Sequence, residues 1–138
     1  RYHCPMARTV LLGEKNQKKM DTMKATNEAL DAGIEATKPG NTADDVAQKF
    51  WAVLDKYGIK KESRTGYSIG IGYPPDWGEQ TLNISKGDKT ILKPNVTFHM
   101  IAVMQFGEWG VEASESVRVT EKGSELFCNL SRDLHIKR

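Results

Sequence analysis

Arg64-Thr65-Gly66-Tyr67-Ser68-Ile69-Gly70-Ile71-Gly72-Tyr73-Pro74-Pro75-Asp76-Trp77-Gly78-Glu79 joins a glycine-spaced run to a stretch of prolines, aromatics and acids. Alternation of Tyr67, Ile69, Ile71 and Tyr73 predicts a strand, and Pro74-Pro75, with no N–H to give a central ladder, predict its end. Glycine in a strand gives up packing and backbone entropy. Its repetition at Gly66, Gly70 and Gly72 marks a place where another backbone or a small molecule comes close. Beyond the strand, Tyr73 and Trp77 offer aromatic faces and Asp76 and Glu79 carboxylates, a set suited to a cationic ligand. Solvated loop acids would give the same pattern.

Before this strand the chain reads as helical. From Asn16 to Thr37, Met20, Met23, Leu30 and Ile34 fall near one helical face, and methionines at that spacing serve as flexible core filler. Lys38-Pro39-Gly40-Asn41 interrupts the pattern as a turn. Thr42 then caps a second helix whose first turn holds Asp44 and Asp45, and whose apolar stripe is Val46, Phe50, Val53, Leu54 and Tyr57. Gly58 stands at the expected left-handed C-terminal cap. Arg8 to Gly13 reads as an opening strand closed by a turn.

After it the pattern is that of a sheet. Gly87 to Leu92 predicts a short strand, Val96 to Gln105 a longer one, Glu108-Trp109-Gly110 a turn, and Val111 to Thr120 a further strand closed by Glu121-Lys122-Gly123. Helices and strands in separate blocks predict an α+β class, two helices against one face of a largely antiparallel curved sheet.

The bulk composition narrows the function classes. A chain of 138 residues is the size of one domain, and 20 basic against 18 acidic side chains leave a net charge of +2 with no basic stripe, which argues against a nucleic-acid partner. Two distant cysteines, Cys4 and Cys128, read as reduced thiols of a cytoplasmic protein. No run approaches the roughly 20 apolar residues of a membrane helix, so no membrane partner is expected. The opening Arg1-Tyr2-His3-Cys4-Pro5, without an initiator methionine, reads as the start of a fragment.

Two residues stand out chemically. Glu115 falls on the apolar face of its strand, with Val111, Ala113, Val117 and Val119. A carboxylate there must be paired, with an arginine such as Arg8 or Arg64, or used by a ligand, since an isolated buried charge costs several kcal/mol. His99 alternates with Thr97, Ile101 and Val103 and is either a neutral, hydrogen-bonded core histidine or a general base. No histidine has another histidine or a cysteine at a short ligand spacing, the glycines do not form a phosphate-binding fingerprint, and Ser68 lacks the surroundings of a nucleophile elbow.

Across nearly its whole length the chain resembles the C-terminal part of the catalytic domain of the creatinase/aminopeptidase family, whose fold is the pita bread. Tyr2-His3-Cys4-Pro5-Met6-Ala7-Arg8-Thr9 is similar to that family's Tyr-x-x-Asp-x-x-Arg-Thr strand, and Gly66-Tyr67-Ser68-Ile69-Gly70 to its Gly-His-Gly-Ile-Gly. Pro94 to Ile101 is similar to its Pro-Gly-Met-x-Phe-x-x-Glu, and Ser114 to Gly123 to its closing Glu-Asp-Thr-Val-x-Val-Thr-Glu-x-Gly. The resemblance places Pro5, Tyr67, Ile101 and Ser114 where metal-dependent members carry ligands, and a second active-site histidine near Pro74. It therefore implies a domain without metal or other cofactor. Arg64 to Gly70, Tyr73 to Glu79 and Thr97-Phe98-His99 resemble the ectoine-hydrolase group within the family.

That likeness implies a metal-independent hydrolase of a carbon–nitrogen bond in a small cyclic amidine or guanidino compound, homodimeric at full length. His99, Glu115 and Tyr67 are the expected catalytic residues, with Tyr73, Asp76, Trp77 and Glu79 binding substrate. An Xaa-Pro dipeptidase and a non-catalytic binding module are the alternatives.

Overall fold

Side-chain caps set the helix boundaries in the computed structural model, which describes residues 1–73 and 80–138 in full and residues 76–79 as backbone only. Helix α1 (Gln17–Ala36) begins where the Asn16 side chain accepts from the Lys19 N–H at 3.0 Å. Helix α2 (Ala43–Lys56) begins with a reciprocal box. Thr42 Oγ1 accepts from the Asp45 N–H at 3.1 Å, and Asp45 Oδ2 accepts from the Thr42 N–H at 2.7 Å. Its far end closes on Gly58, at φ +65°, where the amides of Gly58 and Ile59 donate to Asp55 and Leu54. Tyr57 leaves the predicted stripe: it is exposed, and its hydroxyl donates to Glu28 on α1 at 2.6 Å.

Strand β1 (Val10–Leu12) pairs in parallel with β7 (His135–Lys137) as a separate ribbon. The main sheet contains β2 (Gly66–Tyr73), β3 (Asp76–Ile84), β4 (Thr97–Phe106), β5 (Trp109–Val119) and β6 (Ser124–Leu126), in the order β3-β2-β4-β5-β6 with every neighbouring pair antiparallel. Helices α1 and α2 cover one face. Phe50, Leu54 and Leu30 meet Phe98, Met100, Ile84 and Val117 there in a continuous core. The α+β prediction, two helices on a largely antiparallel sheet, describes this architecture.

Three local expectations change. Residues 87–92 form no strand; they strap the start of α2 instead. Asp44 Oδ1 accepts from the Gly87 N–H at 2.9 Å, the Asp44 N–H donates to Asp88 at 2.8 Å, and Leu92 exchanges backbone bonds with Asn41 and Gly40. The segment after Pro75, read as a ligand loop, runs as β3 back along β2. The predicted turn at Glu108-Trp109-Gly110 lies one residue earlier, so Trp109 opens β5 opposite Phe106.

Close backbone approach explains the first glycine of β2. At Gly66 a Cβ would stand 2.8 Å from the His99 carbonyl oxygen, so a side chain would push β4 away. Gly70 and Gly72 bond to residues 1–3, with the His3 N–H on the Gly70 carbonyl at 2.9 Å and the Gly72 N–H on that of Arg1 at 3.0 Å. The same N-terminal segment then runs along the edge of β5, where the Ser114 N–H donates to Ala7 at 3.1 Å and Thr9 Oγ1 accepts from the Glu112 N–H at 2.7 Å.

Candidate active site

Strand register decides which side chains can meet. Tyr67 lies opposite His99 and His99 opposite Ser116, so these three form one rung across β2, β4 and β5. The next rung along β4 and β5 is Ile101 with Ser114. Met100, Ala102, Ala113 and Val117 alternate with these residues and belong to the core under the helices, so both rungs sit on the face turned away from α1 and α2.

On that face Tyr67 and His99 form a polar pair. The Tyr67 hydroxyl lies 2.9 Å from His99 Nδ1, and the rings meet edge to face with centroids 5.2 Å apart. Arg64 lies over the Tyr67 ring, its guanidinium carbon 4.9 Å from the centroid, and donates to Asn83 at 2.6 Å. Burial holds the His99 imidazole well below the usual histidine range, at about 4, so the ring is neutral at physiological pH. His99 Nε2 is buried and finds no hydrogen-bond partner among the described residues. The nearby hydroxyls are already committed: Ser116 Oγ donates to the Pro5 carbonyl at 2.7 Å, and Ser114 Oγ accepts from the Ala7 N–H at 2.7 Å.

The positions that would carry metal ligands by family resemblance gather around these rungs, but their chemistry does not suit a metal. Pro5 and Ile101 have no donor side chain, the Ser114 hydroxyl is held by Ala7, and Tyr67 is turned to His99. Among the described residues, no three His, Cys, Asp or Glu side chains gather to hold an ion.

Glu115 is separated from Tyr67 and His99. Its register partner is Met100, so its side chain projects towards the helices, where it is 1% exposed. Arg8 Nη2 donates to its Oε1 at 2.7 Å and Arg132 Nε stands 3.5 Å away. Of the two arginines expected as partners, Arg8 takes the role and Arg64 goes to Tyr67. Alternation places neighbours on opposite faces, so Glu115 cannot share a rung with His99. Arg132, which local pattern did not single out, bonds Asp31 of α1 at 2.5 Å and accepts from Asn27 through its carbonyl at 3.0 Å. Tyr73, at the end of β2, is exposed under the Arg1 guanidinium at 4.4 Å. The side chains of Asp76, Trp77 and Glu79 lie outside the described residues.

Ser114 stands at a ligand position by family resemblance, whereas Ser116 gains its place in the site only from the register, which sets it beside His99.

The chain is 43% identical over 138 residues to the ectoine hydrolase of Halomonas elongata, covering 99% of this chain and 35% of that enzyme. It is 26% identical to the Xaa-Pro dipeptidase of Pyrococcus furiosus, covering 96% of this chain and 38% of that protein. The crystal structure of dipeptidase PepE from Mycobacterium ulcerans superposes with a TM-score of 0.87 at 26% identity, over 95% of this chain and 35% of that one. The chain thus spans about a third of the length of these relatives. The sequence model of metallopeptidase family M24 matches residues 1–121, and together with the pita-bread-like sheet and helices this establishes that the chain belongs to that family, the creatinase/aminopeptidase family.

Proposed function

We propose that this chain is the C-terminal part of the catalytic domain of a longer, metal-independent hydrolase that opens a carbon–nitrogen bond in a small cyclic amidine or guanidino compound, as an ectoine hydrolase does. The observation that carries the reading is the side-chain set around the rungs. Where the family resemblance calls for ligands stand Pro5, Tyr67, Ile101 and Ser114, and what remains is the pair of half-buried Tyr67 with buried His99. The similarity to an ectoine hydrolase along nearly the whole chain points the same way. In the proposed reaction water adds to the ring carbon between the two nitrogens. One carbon–nitrogen bond then breaks, the departing nitrogen takes a proton, and an amide and an amine remain.

His99 and Tyr67 are the residues assigned to the reacting face. Tyr73 and the acids and tryptophan that follow it are assigned to substrate. Glu115, tied to Arg8 and Arg132 on the helix side, is assigned here to holding the domain together. The reading carries with it a cytoplasmic enzyme, homodimeric at full length, with a small-molecule substrate and no nucleic-acid partner.

Incubating the full-length protein with ectoine, hydroxyectoine, creatine and Xaa-Pro dipeptides, with and without chelator, tests this directly. Ring opening of ectoine at a rate unchanged by chelator is expected. Cleavage of Xaa-Pro dipeptides that needs added manganese, cobalt or zinc would overturn it in favour of the dipeptidase reading. Binding of these compounds without turnover of any would favour a binding module, which the separation of Glu115 from His99 also suits.

A further inference from the structure

Arg64 brings a positive charge to the Tyr67–His99 pair. Tyr67 lies opposite Asn83 of β3 as well as opposite His99, so the rung runs Asn83, Tyr67, His99, Ser116 across four strands. The Arg64 guanidinium touches two neighbours of that rung. Its carbon stands 4.9 Å from the Tyr67 ring centroid, and Nη1 donates to Asn83 Oδ1 at 2.6 Å. An arginine held by a ring and an amide has surrendered much of its rotamer freedom before any ligand arrives, which lowers the entropy cost of using it.

The contact with Asn83 leaves the other edge of the guanidinium, Nε and Nη2, and no described residue bonds it. That edge is the one by which Arg118 grips a single oxygen of Glu125, Nε at 3.0 Å and Nη2 at 2.5 Å. Arg8, by contrast, is spent on Glu115 and on the carbonyls of Ala7, Ser114, Leu130 and Ser131. A second observation points to a ligand at the same rung. His99 is 5% exposed and its Nε2 has no partner among the described residues, whereas buried polar atoms in folded proteins are ordinarily bonded. Burial keeps that ring uncharged, so on this rung an anionic group is served by Arg64.

We propose that Arg64 binds the carboxylate of the substrate through Nε and Nη2, and that this site thereby selects small molecules bearing an acid group over their neutral counterparts. The ring of that substrate rests on the function proposed above; the carboxylate rests on Arg64. Paired donors in a fixed fork match the two oxygens of a carboxylate, a fit that a lysine ammonium does not reproduce. In this role Arg64 is a substrate-binding residue and takes no part in moving protons.

The test uses the full-length protein and calorimetry with ectoine, creatine and an Xaa-Pro dipeptide, each beside its neutral carboxamide. The wild type should bind at least one of the acids more tightly than its amide. Arg64→Gln should weaken that acid roughly 10- to 100-fold, the range for hydrogen bonds to a charged group, and leave the amide unchanged. Arg64→Lys should recover only part of the loss, and it serves where the glutamine variant does not fold. A role confined to stability would weaken acid and amide alike, and that result, or a wild type without preference for any of the acids, would overturn the proposal. The two readings fail separately. An Arg64-dependent preference for an acid in a protein that opens no ring would support the carboxylate site and sink the hydrolase, whereas rapid ectoine opening with equal weakening of ectoine and its amide would do the reverse.

Discussion

His99 can be tested through stability independently of any substrate. Its folded-state value of about 4 lies below the ordinary 6.5, because burial disfavours the imidazolium. The unfolded chain therefore binds the extra proton first on acidification. Above about pH 6.5 both states are neutral at this site and stability does not depend on it; as pH falls from 6.5 to 4 stability is lost, by at most roughly 3 kcal/mol at about 1.4 kcal/mol per pH unit. The carboxylates act in a lower window. Asp44 is lowered to about 2, chiefly by its bond with Lys89, so its contribution is present above the ordinary carboxylate value of 3.8 and disappears as pH falls towards 2. Denaturant unfolding of wild type and His99→Gln from pH 8 to 4 should therefore show a slope below 6.5 in the wild type that the variant lacks. Parallel curves would remove the buried neutral imidazole from the description. That His99 deserved attention was visible from its place in an apolar strand. Its pairing with Tyr67 was not, because 32 residues separate the two and only the register of β2 on β4 joins them.

Among the elements, α2 was the easiest to read because three independent signals agree. A capping threonine, acids in the first turn and the spacing of Val46, Phe50 and Leu54 all require the same helix, and the buried face follows that stripe. Strand β3 was hidden for the opposite reason. It follows Pro74-Pro75, contains Gly78, places the non-glycine Gln80 at φ +54°, and pairs with β2 through two register shifts, so alternation never becomes regular enough to detect. Residues 87–92 misled because their composition suits a short strand, whereas their backbone groups are taken by Asn41, Ala43 and Asp44 at the start of α2. The cap and the strap meet at one helix end, and Thr42→Ala separates them. It removes the hydroxyl that accepts from the Asp45 N–H while leaving the bonds to Asp44, and should lower unfolding free energy by about 1 kcal/mol with the strap intact. Thermal or denaturant unfolding gives the magnitude. Amide exchange at Gly87 and Leu92 should keep its wild-type rate relative to global unfolding, and selective exposure there would show that cap and strap form one unit.

At the scale of the molecule, the two ends of the chain close on the middle of β5, and Glu115 joins them. Arg8 reaches it from the N-terminal segment and also donates to the carbonyls of Ser114, Leu130 and Ser131; Arg132 reaches it from the C-terminal segment and continues to Asp31 on α1. The sequence showed a carboxylate that had to be paired or used, and it offered Arg8 as one partner. Arg132 lay beyond the last predicted strand, with no periodicity to give it a place. Breaking such a buried pair leaves the Arg8 guanidinium without its carboxylate while Arg132 keeps Asp31, so Glu115→Ala should destabilise the chain by about 3 kcal/mol. Glu115→Gln keeps an acceptor of the same shape and should lie between the alanine variant and the wild type. If Glu115 instead serves turnover, the glutamine variant of the full-length protein would keep its unfolding midpoint and lose kcat. The expected result is a lowered midpoint with kcat retained at temperatures where the variant is folded. Released ends should also show in limited proteolysis, with cleavage near Arg8 and Arg132 accelerating in the alanine variant before the α1–α2 core opens. Uniform acceleration at all sites would mean that the ends and the core unfold together.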